Sequence, residues 1–282
     1  MDDASNPGLR GLVDPLVITA FAGWSDAGNA ASAAIDHLAE AYDAELAYAI
    51  DPDDFYDNQV NRPHVGFGPD GERTITWPTT EIKTAQLPSG RDLVLVHGLE
   101  PNMRWRQFGT LITSALRSAQ ARQAFCLGAL LADTPHTRPV PVSITSRDPE
   151  LSERYGLLDS SYEGPTGIVG VLADQLARSA VPTVSLWAAI PHYVSHPPCP
   201  KATLALLNSL EKLIDLPLDL GELPELARAW ERGVDELASD DTEVAEYVTQ
   251  LEEQQDATEL PEASGDAIAA EFERYLRRRQ GH

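Results

Sequence analysis

The sequence predicts a three-layer α/β/α sandwich around a mostly parallel mixed sheet, followed by an acidic helical extension. Two observations carry this. Short, continuously apolar runs alternate with helical patterns through the first two hundred residues, the signature of parallel strands buried on both faces. From Lys201 onward the strand patterns stop and only helical spacing remains.

The elements follow in order. Leu16–Ala22 reads as a buried strand, and Gly23-Trp24-Ser25-Asp26 turns the chain into a helix over 27–41 with Ala30, Ala34, Ile35 and Leu38 on one face. A second strand spans Ala44–Ile50. An acidic loop, Asp51–Pro63, carries Phe55 and Tyr56, and Pro69-Asp70-Gly71-Glu72 marks a hairpin between Val65–Phe67 and Thr74–Trp77. This hairpin is expected to make the sheet mixed. The alternation resumes with a strand at Asp92–Gly98, a helix over 105–120, a strand over 124–131 and a short strand over 142–145. Gly164-Pro165-Thr166-Gly167 opens a helix to Ser179, and Thr183–Ile190 closes the sheet. Trp24 and Trp187 read as core. Leu204, Leu207, Leu210, Leu213 and Ile214 then lie at helical spacing, with further helices over 224–237, 242–253 and 267–279. The expected division is a disordered segment over 1–14, a core domain over 15–200 and an acidic extension over 201–282.

Charge excludes several functions. The chain of 282 residues has a formal net charge of −23, which opposes nucleic-acid binding and adsorption to anionic lipid. The extension alone has eight basic residues against twenty acids, a net of −12. Cys126 and Cys199 form neither a disulfide framework nor a CxxC pair, as expected for a reducing cytoplasmic protein. Met1–Gly8 lacks the apolar core of a signal peptide, and no run is long enough to cross a bilayer.

In open parallel sheets, ligands bind beyond the carboxyl ends of the strands. Those ends carry Asp26 and Gly28, then His97 and Glu100, then His136 and Arg138, then His192; Glu163, Gly164, Thr166 and Gly167 lie at the last helix entry. They are the candidate cleft or ligand-binding residues. Plainer readings stand beside them: Asp26 as a helix cap, Gly28 as a packing residue, and the Gly164–Gly167 turn as a tight helix entry rather than an anion loop. No His-x-x-x-His pair lies on a regular helix and no Gly-x-Ser-x-Gly is present, so neither a metal nor a cofactor is expected and no catalytic residue is assigned.

Five ordered blocks make a resemblance specific: Gly23–Ala31, His97–Pro101 with Trp105, Pro135–Pro139, Tyr162–Gly167 and Pro191–Tyr193. Together they resemble the proteasome assembly chaperone type-two family, in its actinobacterial branch, over residues 16–207. The resemblance implies a phosphorylase/hydrolase-like α/β/α core, a non-enzymatic role in binding protein partners such as proteasome subunits, and homo-oligomers. Relatives that dock into the α-ring often end in a hydrophobic-tyrosine-any tripeptide, whereas this chain ends Gln280-Gly281-His282, a departure that puts that docking mode in doubt. Phe55, Tyr56, Trp77 and Trp105 are the candidate partner contacts. The alternative is a hydrolase or nucleoside-phosphorylase-like enzyme, or a small-molecule binder, which requires Asp26, His136, Arg138, Glu163 and His192 to converge on one cavity.

Overall fold

A computed structural model describes residues 7–157, 160 and 162–259. Its main sheet has seven strands. In chain order these are β1 (Leu16–Ala22), β2 (Glu45–Ala49), β5 (Thr80–Gln86), β6 (Asp92–Leu99), β7 (Gln123–Ala132), β8 (Val142–Ser146) and β9 (Thr183–Pro191), while β3 (His64–Phe67) and β4 (Arg73–Thr76) pair only with each other. The spatial order is β2-β5-β6-β1-β7-β9-β8. The four central strands run parallel, with Leu16 beside Leu93 and Gln123, and Ala124 beside Thr183. On one side β5 runs antiparallel to β6, and β2 beyond it pairs antiparallel with β5 and so runs with the central strands; on the other side β8 runs antiparallel to β9.

Helices α1 (Ala30–Ala41) and α5 (Pro200–Ile214) cover one face; α2 (Trp105–Ser118) and α4 (Ile168–Arg178) cover the other. The pleat sorts the strand residues between two cores. Leu16, Ile18 and Ala20 of β1 face α1 and α5, whereas Val17 and Phe21 face α2 and α4. A short helix, α3 (Pro149–Tyr155), follows β8. Helix α6 (Leu223–Ser239) packs on α5, and α7 (Thr242–Glu259) packs on α6.

The α/β/α architecture is as expected, and four details differ. The hairpin lies outside the main sheet, so the mixed character comes instead from β5 and β8, which run against the other strands. Strand β5 was not foreseen because Thr-Glu-Ile-Lys-Thr-Ala-Gln carries little apolar signal; only Thr80 and Ile82 in it are fully buried. The first fourteen residues include a helical turn at Pro7–Leu9 that buries Leu9 completely, and the Asp92 N–H donates to the Val13 carbonyl while the Val13 N–H donates to the Asp92 carboxylate, so 7–14 is tied to the body of the fold at both ends; residues 1–6 lie outside the described residues. Helix α5 buries Ala202, Leu206, Leu207 and Leu210 in the α1-side core, so the structural boundary falls after α5 rather than at 200. The helix expected over 267–279 lies outside the described residues.

Candidate functional site

The central parallel strands bring all the expected polar groups to one edge of the sheet, but the edge divides into two bonded networks. The first surrounds the end of β1. After Ala22 the chain bends through Gly23, whose φ of +134° favours glycine, and Ser25 and Asp26 pair with Ala129 of β7. Asp26 is buried beneath the first turn of α1. Its Oδ1 accepts from the Ala31 and Ser32 N–H groups at 2.7 and 3.3 Å, and its Oδ2 accepts from Ser32 Oγ at 2.5 Å. Burial raises its pKa and these bonds oppose the rise. Asp26 therefore serves as the cap of α1. Gly28, with φ +59°, is pressed against Cys199 and Ile190, which leaves no room for a ligand above it. His97 Nδ1 lies 3.2 Å from the Ala20 carbonyl and its Nε2 3.8 Å from Asp36 Oδ1.

Across this edge, Glu100 Oε1 accepts from the Ile168 N–H at 2.7 Å, placing a carboxylate at the positive end of α4. Gly167 is buried there with no room for a side chain, since a Cβ would lie 2.3 Å from Ser25 Oγ and 2.8 Å from Glu100 Oε1. The helix entry thus receives a carboxylate from its own chain. Glu163, Gly164 and Thr166 are exposed around it.

The second network joins the ends of β7 and β9 to the acidic helices. His136 is 2% exposed. Its backbone N–H donates to Tyr193 Oη at 2.8 Å, and Nδ1 lies 2.8 Å from the same oxygen. With that oxygen accepting from the backbone, its own hydrogen points to Nδ1, which assigns the Nε2–H tautomer donating to Asp235 Oδ1 at 3.0 Å. Lys201 donates to the His136 carbonyl and pairs with Glu231 of α6 at 2.8 Å. Arg138 bonds both oxygens of Asp256 at 2.8 Å and reaches Glu252 at 3.2 Å. His192 Nδ1 lies 3.2 Å from Asp133 Oδ1, which also accepts from Tyr247 Oη at 3.2 Å, and the His192, Tyr193 and Tyr247 rings meet edge to face.

Two titrations report on this network. Burial is the main cause pushing the Tyr193 phenol up to about 12 from 10.0. The folded protein then holds this proton where the unfolded chain loses it, so the contribution to stability is whole below pH 10 and disappears as pH climbs through about 12. The hydrogen bond from Arg138 holds Asp256 below 3.8, so this contact contributes above that pH and is lost as pH falls through the lowered pKa. Burial also raises Tyr42 and Tyr56 above 10.0, so alkaline absorbance titration is expected to show several late-ionising tyrosines, of which Tyr193→Phe removes the component near pH 12. Persistence of the late component in that variant would contradict the assignment.

The five groups required by the enzymatic alternative are therefore distributed. Asp26 caps a helix, His136, Arg138 and His192 are engaged by partners, and Glu163 is exposed. The two best-formed clefts among the described residues are not lined by any of these groups. Among the described residues no group of histidine, cysteine and carboxylate side chains is arranged to hold a metal. Both thiols are buried and pushed up to about 11, away from nucleophilic use.

Residues 20–238 match the PAC2 family. The chain belongs to that family. A PAC2 family protein from Streptomyces avermitilis is 54% identical, with a TM-score of 0.80 over 83% of this chain and 100% of that one. A proteasome-assembly chaperone homologue from Mycobacterium tuberculosis is 46% identical, with a TM-score of 0.76 over 83% of this chain and 99% of its own. Pyrococcus furiosus PbaB, an archaeal proteasome activator, shares the fold at 17% identity and a TM-score of 0.65, covering 80% of this chain and 94% of its own. No curated protein matches the chain. The resemblance in the sequence is thus borne out, including its actinobacterial character.

The candidate contacts divide within this PAC2 fold. Phe55 and Tyr56 are 2% and 3% exposed, which removes them from the surface. Phe55 packs edge to face on Phe108, and Tyr56 Oη donates to the Leu99 carbonyl at 2.9 Å. Their acidic loop folds inward because the aromatic pair caps the α2-side core. Trp105 is half-buried, with Nε1 donating to the Pro101 carbonyl at 2.5 Å, while Trp77 is exposed. Trp24, expected in the core, is 64% exposed, and Leu99, Leu130, Leu131 and Tyr162 are exposed at the same edge of the sheet. This apolar rim was missed because strand ends read from sequence like the buried strands they terminate. Asp235 and Glu252 were missed because their partners, His136 and Arg138, are distant in sequence.

Proposed function

We propose that this PAC2 protein is a non-enzymatic assembly factor that binds proteasome subunits in the cytoplasm and works as a homo-oligomer. One observation carries the reading: the polar groups at the strand ends are engaged within the chain, while large apolar side chains beside them face solvent. Such an edge is built for contact with another protein surface rather than for turnover of a bound molecule. The mycobacterial relative's description as a proteasome-assembly chaperone homologue supports proteasome subunits as the partner class. Among the described residues no helix is long and apolar enough to cross a membrane.

Trp24 and Trp77 are the contacts proposed here, whereas Trp105 is half-buried against the α2-side core. Immobilised protein exposed to lysate of the native host is expected to recover proteasome subunits. Trp24→Ala should weaken that recovery by about 30-fold, the equivalent of ~2 kcal/mol for loss of an aromatic anchor. Retention of binding by both Trp24→Ala and Trp77→Ala would displace the contact surface. Recovery of no proteasome subunit, with normal proteasome assembly in a deletion strain, would refute the function.

A further inference from the structure

The edge opposite to the apolar rim carries a cleft of about 310 Å³. Its lining comes from the amino-terminal ends of the central strands, from α3 and from the last turn of α5. Three arginines line it, Arg91, Arg122 and Arg154, against one acid, Asp14. Asp14 is matched to Arg91, whose Nε lies 2.9 Å from Asp14 Oδ2. Arg154 lies over the Tyr155 ring at 5.2 Å. Among the described residues neither Arg122 nor Arg154 has a carboxylate partner, and Asp14 is the one acid in the lining. A local net charge of two positives is thus maintained on a chain whose total is −23. Beneath the arginines the lining is apolar: Leu16 and Phe125 are buried side chains of β1 and β7, and Leu213 and Ile214 close the side.

We propose that this cleft binds a small organic anion with a carboxylate or phosphate head and a compact apolar body. The guanidinium groups of Arg122 and Arg154 would take the head, because their planar donor forks match two oxygens at once. Tyr155, held by a 3.2 Å bond from Gln123 Nε2, and the apolar lining would take the body. The volume is at the lower end of the range for small-molecule sites, which fits a single ring or a short branched chain rather than a nucleotide. Position also separates this site from partner binding, since it opens at the opposite ends of the strands from Trp24.

The test uses the whole chain with phenyl phosphate, phenylacetate, inorganic phosphate and benzyl alcohol, followed by titration calorimetry and thermal shift. One or both aromatic anions are expected to bind saturably, with phenyl phosphate and phenylacetate distinguishing the two head groups. Inorganic phosphate and the neutral alcohol should bind at least tenfold more weakly. Arg122→Gln and Arg154→Gln should each lower affinity at least tenfold, while Arg62→Gln, on an exposed loop away from the cleft, should leave it unchanged. Affinity should also fall as salt is raised. Both arginines in the test are exposed, so their variants are expected to fold. The proposal is overturned if neither aromatic anion binds at millimolar concentration, if the neutral alcohol or inorganic phosphate binds as well as they do, or if Arg122→Gln and Arg154→Gln leave binding unchanged.

Discussion

Gly28→Ala is expected to lower stability by ~3 kcal/mol or more, the sum of a left-handed backbone conformation and an overpacked contact. The conformation is φ +59°, and the added Cβ would lie 2.8 Å from Cys199 Cβ and 3.1 Å from Ile190 Cδ1. Neither neighbour can retreat easily. Cys199 opens α5 and its N–H donates to the Gly28 carbonyl at 2.9 Å, while Ile190 is fully buried in β9. Gly71 provides the comparison: its φ is +76° but nothing lies within 4 Å of the position a methyl would take, so Gly71→Ala carries strain without a clash. Thermal melts are expected to place Gly28→Ala roughly 6–12 °C below the parent, from ~2–4 °C per kcal/mol in a protein of this size. Gly71→Ala should fall by only about a third of that. Equal losses would show that the seat of α5 on the β1–α1 turn is not tightly packed.

His136→Ala is expected to loosen the acidic helices from the sheet. The substitution removes a buried imidazole and leaves Tyr193 Oη and Asp235 without that partner. We expect a cost of ~2–4 kcal/mol, from the lost hydrogen bonds together with the cavity left by the ring. Asp235 is half exposed, so Asp235→Ala should cost much less, and Asp235→Asn should retain most of the contact because its amide oxygen still accepts from Nε2–H. The local readout is limited proteolysis at Asp240-Asp241, between α6 and α7, where cleavage should accelerate in the order parent, Asp235→Asn, Asp235→Ala, His136→Ala. Unchanged cleavage in His136→Ala would mean that α6 and α7 are held by other contacts. Enhanced cleavage would identify the strand-end polar cluster as a clasp for the extension.

How much of this was legible in the sequence depended on the range of the interactions. Strand β1 was readable to the residue because seven consecutive apolar or small side chains leave no alternative pattern, and β9 was readable for the same reason. Helix α3 had a usable signal that went unread: Asp148 caps its first turn by accepting from the Glu150 and Leu151 N–H groups, Pro149 follows the cap, and Gly156 closes it at φ +63°. Strand β5 had no comparable signal. It is defined by pairing with β6 and β2 on either side, and a sequence does not display its neighbours.

The candidate site divided along the same line. Asp26 as a cap was legible because its partners, Ala31 and Ser32, lie five and six residues away. The fate of His136 and Arg138 was not, because Asp235 and Asp256 lie 99 and 118 residues further on. Phe55 and Tyr56 illustrate the reverse error: flanking acids suggested an exposed loop, yet the two rings turn inward while Asp53 and Asp54 face solvent.

By itself, then, the sequence determined the layered architecture, the family and the helical character of the extension, because each is written in local periodicity or in contiguous blocks. Tertiary structure alone decided which strand-end groups are engaged, which aromatics reach the surface and where three arginines meet. Those outcomes depend on contacts closed across separations of roughly fifty residues to more than a hundred, where the energy of a pair is set by geometry and desolvation and leaves no periodic trace in the chain.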